Sequence, residues 1–276
     1  MPFWELPSPI YSVDSKMNDK PCLSRFGMAL LSLFFLAASS QEAVPPSLSG
    51  RAEELVKEGK YLEARSLYEK TLEDPALNKD EKDSLQKNYE ALNLKILFSR
   101  FESPESIFHQ VLPGESLYKI AQKYKTTVDL LKKSNGLNKG TIYPAMKLKV
   151  VTGTFSIHVS KSQNELTLLL NDKPLKHYRV ATGANNGTPA GEFRIVNKLE
   201  NPTWFKTGAV IAPSSPDNAL GTRWLGFDHP GYGIHGTIDP NSIGRQVTSG
   251  CVRMFNSEVE ELYSLVPAGT KVVISD

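Results

Sequence analysis

From residue 155 to the C-terminus the chain carries short runs, SIHVS, LTLLLND, LKHYRVAT, GEFRIVNK and TKVVIS, with apolar residues at every second position or in a buried stretch. A period of two puts successive side chains on opposite faces, which is the pattern of a strand. Asn, Asp, Gly and Pro close the runs, and Asn171-Asp172 reads as a hairpin turn. One late helix is expected over residues 257–265. The expectation is a β-rich core, sandwich- or barrel-like, with functional residues on loops held by the sheet.

Ahead of this region the period changes. Residues 51–73, RAEELVKEGKYLEARSLYEKTLE, space Ala52, Leu55 and Val56, then Tyr61, Ala64, Leu67, Tyr68 and Leu72, by three and four, with Gly59-Lys60 as the turn. A third helix is expected over residues 84–98, with Leu85, Tyr89, Leu92 and Ile96 on one face. The pattern resembles one tetratricopeptide-type helical hairpin. Arrays of such units need about three repeats, so a spacer or packing module is preferred to a peptide-binding groove. At 276 residues the chain has room for about two domains, and its organisation reads as α+β and multidomain.

Between the two lies residues 106–151, which read as strand, helix, helix, strand. Residues 108–112 are strand-like, Ser116 is a helix N-cap, and Leu117, Ile120, Ala121 and Tyr124 face inward. A second helix from Thr127 stops at Ser134-Asn135-Gly136, and residues 147–151 close the unit. The segments VLPGESL, IA, Tyr124, LL, Asn135 and LKV resemble the LysM family over nearly its whole length. That resemblance implies a βααβ module that binds N-acetylglucosamine-containing glycans such as peptidoglycan. Its sugar contacts would come from Pro113, Gly114, Glu115, Ser116 and Leu117 in one loop and from Asn138 and Tyr143 in another. Lys147 stands where the family often has Gly. The alternative is a helical pair with a structural task.

The N-terminus reads as an address. Residues 26–38, FGMALLSLFFLAA, form an apolar run preceded by Lys20 and Arg25 and followed by small residues. Thirteen residues suit a signal-peptide core, whereas a span needs about 20. Cleavage near Ser39 or Ser40 is the preferred reading, with an uncleaved inner-membrane anchor as the alternative and Met17 as a second candidate start. The segment meets the membrane during export, and the rest is expected in the periplasm or cell envelope. Residues 41–50, QEAVPPSLSG, read as a linker. Lys and Arg number 32 against 30 Asp and Glu, without a basic block, so no nucleic-acid partner is expected.

Without the leader the chain keeps one cysteine, Cys251, in TSGCVRM, sixteen residues after His235 in IHGT. A lone thiol in an exported protein has no intramolecular disulfide partner, and its presence beside an imidazole suggests nucleophilic chemistry. The alternative is a small buried hydrophobe near a structural histidine. His109, His158, His177 and His229 show no metal-ligand spacing, so neither a metal nor a cofactor is expected.

Leu166 to Leu170, VATG at 180–183, TPAGEF at 188–193, IHGT at 234–237 and SGCVRM at 249–254 resemble, in order, L,D-transpeptidase catalytic domains of the YkuD type. The resemblance spans some 120 residues and implies a peptidoglycan acyltransferase. In it Cys251 is the nucleophile, His235 the general base, and the carbonyl of Gly236 the third member. Amides near Gly250, Cys251 and Val252 would hold the oxyanion. Arg253 would organise the loop or meet a substrate carboxylate, its alternative being a solvated charge. Tyr232 and Thr248 are candidate polar contacts, and Ser249 replaces the family's usual His. Two readings remain: a transpeptidase, in which hydrolysis would give L,D-carboxypeptidase products, or a non-catalytic wall-binding protein with a degenerate domain.

Overall fold

A computed structural model describes residues 48–206 and 208–276. The expected export segment and the first part of the expected linker, up to residue 47, lie outside the described residues. The remainder of that linker is helical: α1 spans Leu48–Lys57, so residues 48–50 open a helix rather than end a tether. Helix α2 (Tyr61–Leu72) packs back on it and α3 (Lys79–Leu97) follows. The third helix begins five residues before residue 84, because Asn78 accepts the Glu81 N–H while the Glu81 carboxylate accepts the Asn78 N–H. This capping box supplies partners for N–H groups that the first turn leaves unpaired.

Next come β1 (Ser106–Gln110), α4 (Leu117–Tyr124), α5 (Val128–Asn135) and β2 (Lys147–Val151), with β1 and β2 antiparallel. Ser116 caps α4 by accepting the Lys119 N–H, and Gly136 ends α5 in the left-handed region. Asn135 fastens the helix to the strand, its side chain bonding both the N–H and the carbonyl of Lys149.

The β-rich part contains β3 (Phe155–Ser160), β4 (Glu165–Leu170), β5 (Lys173–Arg179), β6 (Thr182–Gly183), β7 (Gly191–Glu200), β8 (Trp204–Lys206) and β9 (Ala209–Ile211). It continues with β10 (Arg223–Phe227), β11 (Gly233–His235), β12 (Gln246–Thr248), β13 (Val252–Arg253), α6 (Asn256–Leu265) and β14 (Lys271–Ser275). Asn171 and Asp172, at φ 51° and 60°, make the two-residue turn between β4 and β5. The sandwich- or barrel-like expectation takes the form of one curled eight-stranded sheet, ordered β13-β11-β10-β7-β14-β3-β4-β5. Strand β7 makes the curl: residues 191–194 pair with β14 and residues 195–200 with β10. Val159, Leu166, Ile195, Leu225, Ile234 and Val272 from both halves meet α6 through Val259 and Leu262 in one core.

Both sheet edges are covered. Along β5, the Asn93 amide donates to the Leu175 carbonyl, the Tyr89 hydroxyl donates to that of Pro174, and Glu90 accepts the His177 N–H. Helix α3 therefore satisfies main-chain groups that an edge strand would otherwise offer to another chain. Strand β13, two residues long, is bridged by Ala181. The βααβ unit joins the same core through Leu130 and Val151, and Thr127 and Lys133 donate to the Ser264 carbonyl and hydroxyl on α6.

Lys149 donates to the Ile96 and Ser99 carbonyls and Lys198 to those of Tyr263 and Val266, so each ammonium closes a helix C-terminus. Burial holds both lysines down to about 8, against an ordinary 10.5. Between those values the unfolded chain binds more protons than the folded one, so stability rises with pH. Above about pH 10 the trend reverses, since burial raises Tyr89 to about 12 and Tyr178 upward too, and the unfolded tyrosines lose protons first. The urea midpoint should therefore rise from about pH 8 to about 9.5, and the rise should shrink in Lys149→Met.

Candidate active site

Strand β11 runs between β10 and β13. Its His235 stands opposite Trp224 on β10 and opposite Arg253 on parallel β13, while Trp224 in turn faces Leu199 on β7. Cross-strand partners share a face, so Leu199, Trp224, His235 and Arg253 form one row across the sheet. Cys251 sits two residues before Arg253, in the turn between β12 and β13. Leu199, Trp224 and Cys251 line one cavity of about 260 Å³ together with Trp204, Phe205 and Gly231. The thiol thus opens into the cavity that Trp224 lines, and His235 lies beside Trp224 in the same row of the sheet.

His235 is 4% exposed and stacks on the Trp224 ring at 6.0 Å and 24°. Its Nδ1 lies 2.7 Å from the Gly236 carbonyl. A carbonyl only accepts, so Nδ1 carries the proton and the lone pair is on Nε2. Burial pushes the imidazole down to about 4; the Gly236 bond raises it and Arg253 lowers it further. Burial pushes the Cys251 thiol up, while the Gly233 main chain and Arg253 pull it part of the way back. Both groups are therefore neutral at rest, so the thiol waits protonated and the imidazole holds an open lone pair. The half-buried sulfur has the Gly231 carbonyl at 3.4 Å as its acceptor.

The turn that presents Cys251 is fixed internally. The Thr248 hydroxyl donates to the Cys251 carbonyl at 2.7 Å and accepts the Gly250 N–H at 3.2 Å. Two sequence expectations change here. Thr248 is buried and committed to the turn rather than to a substrate, and the Gly250 N–H is occupied. Gly250 is required for another reason as well. Its φ is +129°, and a Cβ there would lie 2.7 Å from the Tyr232 ring and 3.0 Å from the Gly187 carbonyl. Tyr232 is half-buried and supports this turn while tilted against His229 at 4.7 Å. Val252 is core, and Ser249 is exposed on the outside of the turn. The Arg253 N–H is taken by the Ala181 carbonyl. The Arg253 guanidinium donates through Nη1 to Ser242 at 3.0 Å and approaches Asp239 at 4.0 Å, while its buried Nε has no partner.

The VATG segment underlies the turn that carries Cys251. Ala181 pairs with Arg253, Thr182 and Gly183 pair with β12, and Thr188 accepts the Gly183 N–H at 2.7 Å. Their short side chains next to a glycine signal a close approach of two main chains.

In the βααβ unit, Val111 exchanges hydrogen bonds with Ala145 and Met146, which brings the loops of Pro113 and Tyr143 to one end. Pro113, Gly114, Ser116, Asn138 and Tyr143 are exposed there, Tyr143 at 65%. Two candidates fall away. Leu117 is buried in the module's core, and the Glu115 carboxylate is spent on the Leu112 N–H and on His109, each at 2.8 Å.

Residues 154–274 match the model of the L,D-transpeptidase catalytic domain and residues 109–151 that of the LysM domain. The putative L,D-transpeptidase YkuD of Bacillus licheniformis is 37% identical over 177 residues, covering 61% of this chain and 99% of that protein. The putative L,D-transpeptidase YqjB of Bacillus subtilis is 47% identical over 124 residues, covering 43% of this chain and 69% of that protein. A solved L,D-transpeptidase from Mycobacterium tuberculosis aligns at 14% identity and a TM-score of 0.40, over 48% of this chain and 63% of that one. The chain belongs to the L,D-transpeptidase family and carries a LysM domain.

Gly250→Ala should destabilise the fold by about 1–3 kcal/mol through backbone strain alone. It should also displace the Tyr232 ring. Thermal unfolding together with the rate of Cys251 alkylation by iodoacetamide checks this; unchanged values in both would mean that the turn does not depend on Gly250.

Proposed function

We propose that this protein is an exported peptidoglycan L,D-transpeptidase, a cysteine acyltransferase of the cell envelope. A stem tetrapeptide enters the cavity beside Trp224 with the carbonyl of its third residue, usually meso-diaminopimelate, at Cys251. As the carbon–sulfur bond forms, the thiol proton passes to His235 Nε2. The proton then passes to the nitrogen of the terminal D-alanine, whose bond to the carbonyl carbon breaks, leaving a thioester. An amine from a second stem, a free amino acid or a wall protein attacks the thioester and restores the thiol. Transfer to water would release the shortened stem instead.

The observation that carries this reading is the Nδ1 bond from His235 to the Gly236 carbonyl, in the sheet row whose Trp224 lines the cavity of Cys251. It leaves a lone pair free for the thiol proton. Because the thiol is raised and the imidazole lowered, the proton moves during attack rather than beforehand. With the Gly250 and Arg253 amides engaged and Val252 paired in the β11 ladder, the oxyanion falls to the Cys251 amide. The unpaired Arg253 Nε supports a contact with a substrate carboxylate. Pro113, Gly114, Asn138 and Tyr143 form the face offered to a glycan strand. Residues 26–38 direct the chain to the membrane, where cleavage or retention leaves the folded part in the periplasm.

Intact mass of the full protein after incubation with a carbapenem tests the reading. A covalent adduct is expected in the wild type, none in Cys251→Ala, and acylation slower by roughly 10²–10⁴ in His235→Ala, as for a lost general base. An unmodified wild type would favour the non-catalytic wall-binding alternative.

A further inference from the structure

The Gly236 carbonyl can fix the imidazole only if it is itself held in place. His235 to Thr237 leave the sheet at the end of β11, and each neighbouring polar group of that exit is committed. The His235 carbonyl accepts the Met254 N–H at 2.9 Å, and the Gly236 N–H donates to the Arg223 carbonyl at 3.2 Å. Thr237 is held by one side chain from outside the strand. Asn256 Oδ1 accepts the Thr237 N–H at 3.0 Å, and Asn256 Nδ2 donates to the Thr237 carbonyl at 2.8 Å. The same Oδ1 accepts the Thr222 N–H at 3.2 Å. A primary amide is the side-chain group that presents a donor and an acceptor side by side, so Asn256 pairs with Thr237 as a strand would.

Two glycines are shaped around this amide. A Cβ on Gly236 would lie 2.1 Å from Asn256 Oδ1, and one on Gly221 would lie 2.2 Å from it. Asn256 opens α6, yet no side-chain bond caps that helix. Its hydrogen-bonding capacity goes to the histidine loop instead.

We propose that Asn256 is a positioning residue for the thiol–imidazole pair: by clamping Thr237 it aims the Gly236 carbonyl at His235 Nδ1 and keeps the imidazole in the tautomer that leaves Nε2 unprotonated. The assignment rests on reading His235 as the base for Cys251. Asn256 touches neither substrate nor sulfur and acts through the main chain. In Asn256→Ala the loop loses its clamp, and the Gly236 carbonyl is free to turn away. Asn256→Asp keeps both accepting contacts but sets an oxygen against the Thr237 carbonyl. Protonation of that Asp restores a donor, so its activity should recover as pH falls.

The test combines carbapenem acylation kinetics with nitrogen-15 NMR of the histidine side chains in the full protein. Acylation should drop roughly 10- to 100-fold in Asn256→Ala, as for the loss of a group that orients a functional side chain. The His235 signals should change from a single Nδ1–H form to a mixture of tautomers. Asn256→Asp should show the same loss at neutral pH and regain rate toward acid pH. A wild-type His235 tautomer in both folded variants would overturn the proposal, even if acylation falls, since a structural role alone lowers rate without touching the tautomer. Should Asn256→Ala not fold, Asn256→Asp and its pH profile decide. Absence of acylation in the wild type would refute His235 and Cys251 as a catalytic pair, whereas the NMR result reports on the clamp by itself.

Discussion

The hydrogen bond from His235 Nδ1 to the Gly236 carbonyl decides what the cleft can do. An imidazole buried against Trp224 is neutral, and a neutral imidazole has two tautomers of similar energy in the absence of a partner. A carbonyl at 2.7 Å removes the choice, and it does so without bringing a negative charge into the site. With a carboxylate as third member, the imidazolium would be stabilised and the pair would drift toward thiolate and imidazolium. Here the neighbouring full charge is the cation of Arg253, which acts on the two groups in opposite directions: it favours the thiolate and disfavours the imidazolium. In the proposed reaction the resting site is uncharged at both reacting groups, and the nucleophile is generated only as it is used.

This arrangement demands a stiff support, and the sheet supplies it. Leu199, Trp224, His235 and Arg253 stand in register on four successive strands, a row of cross-strand neighbours of which Leu199 and Trp224 line the cavity. Cys251 comes from a turn that is tied by Thr248 and walled by Tyr232 and Gly187. The remaining units are fastened to the same body. Helix α3 covers the β5 edge, and α5 docks on α6, whose first residue, Asn256, reaches the histidine loop. Lys149 lies between the βααβ unit and the helical one with its ammonium on the last carbonyls of α3. LysM domain and catalytic domain therefore form one packed unit, not two beads on a linker.

Much of this was legible before any coordinates. The two-residue alternation gave the strands, because burial on one face dictates it, and the LysM-like run gave its helices and caps, because Ser116, Thr127 and Gly136 act locally. Cys251 and His235 were legible because their chemistry requires particular residue types, whereas Gly236, which acts through a main-chain carbonyl that any residue could supply, followed only from the family resemblance. What stayed hidden depends on contacts distant in sequence. Nothing local tells that the glycine at 250 makes room for Tyr232, that Thr248 is consumed within its own turn, or that Glu115 answers to His109. Asn256 lies just ahead of the helix expected over residues 257–265, and its partners lie 19 and 34 residues away. The early start of α3 is encoded by the capping pair Asn78 and Glu81, which lies ahead of Leu85, the first apolar residue of the helix. The sequence likewise offered no sign that α3 would serve as an edge cover, since covering an edge needs only a few polar groups at the right height.

The central claim is that a neutral, desolvated imidazole of fixed tautomer serves a protonated thiol. The pH dependence of single-turnover acylation measures it directly. The account predicts that the acid limb of the rate falls near pH 4, where His235 takes up its proton, and that the rate passes through the ordinary histidine value of about 6.5 without an inflection. An acid limb at 6.5 or higher would contradict it, because the base would then be a solvated imidazole or one paired with a charge, and the buried His235–Gly236 contact would not be the one that matters.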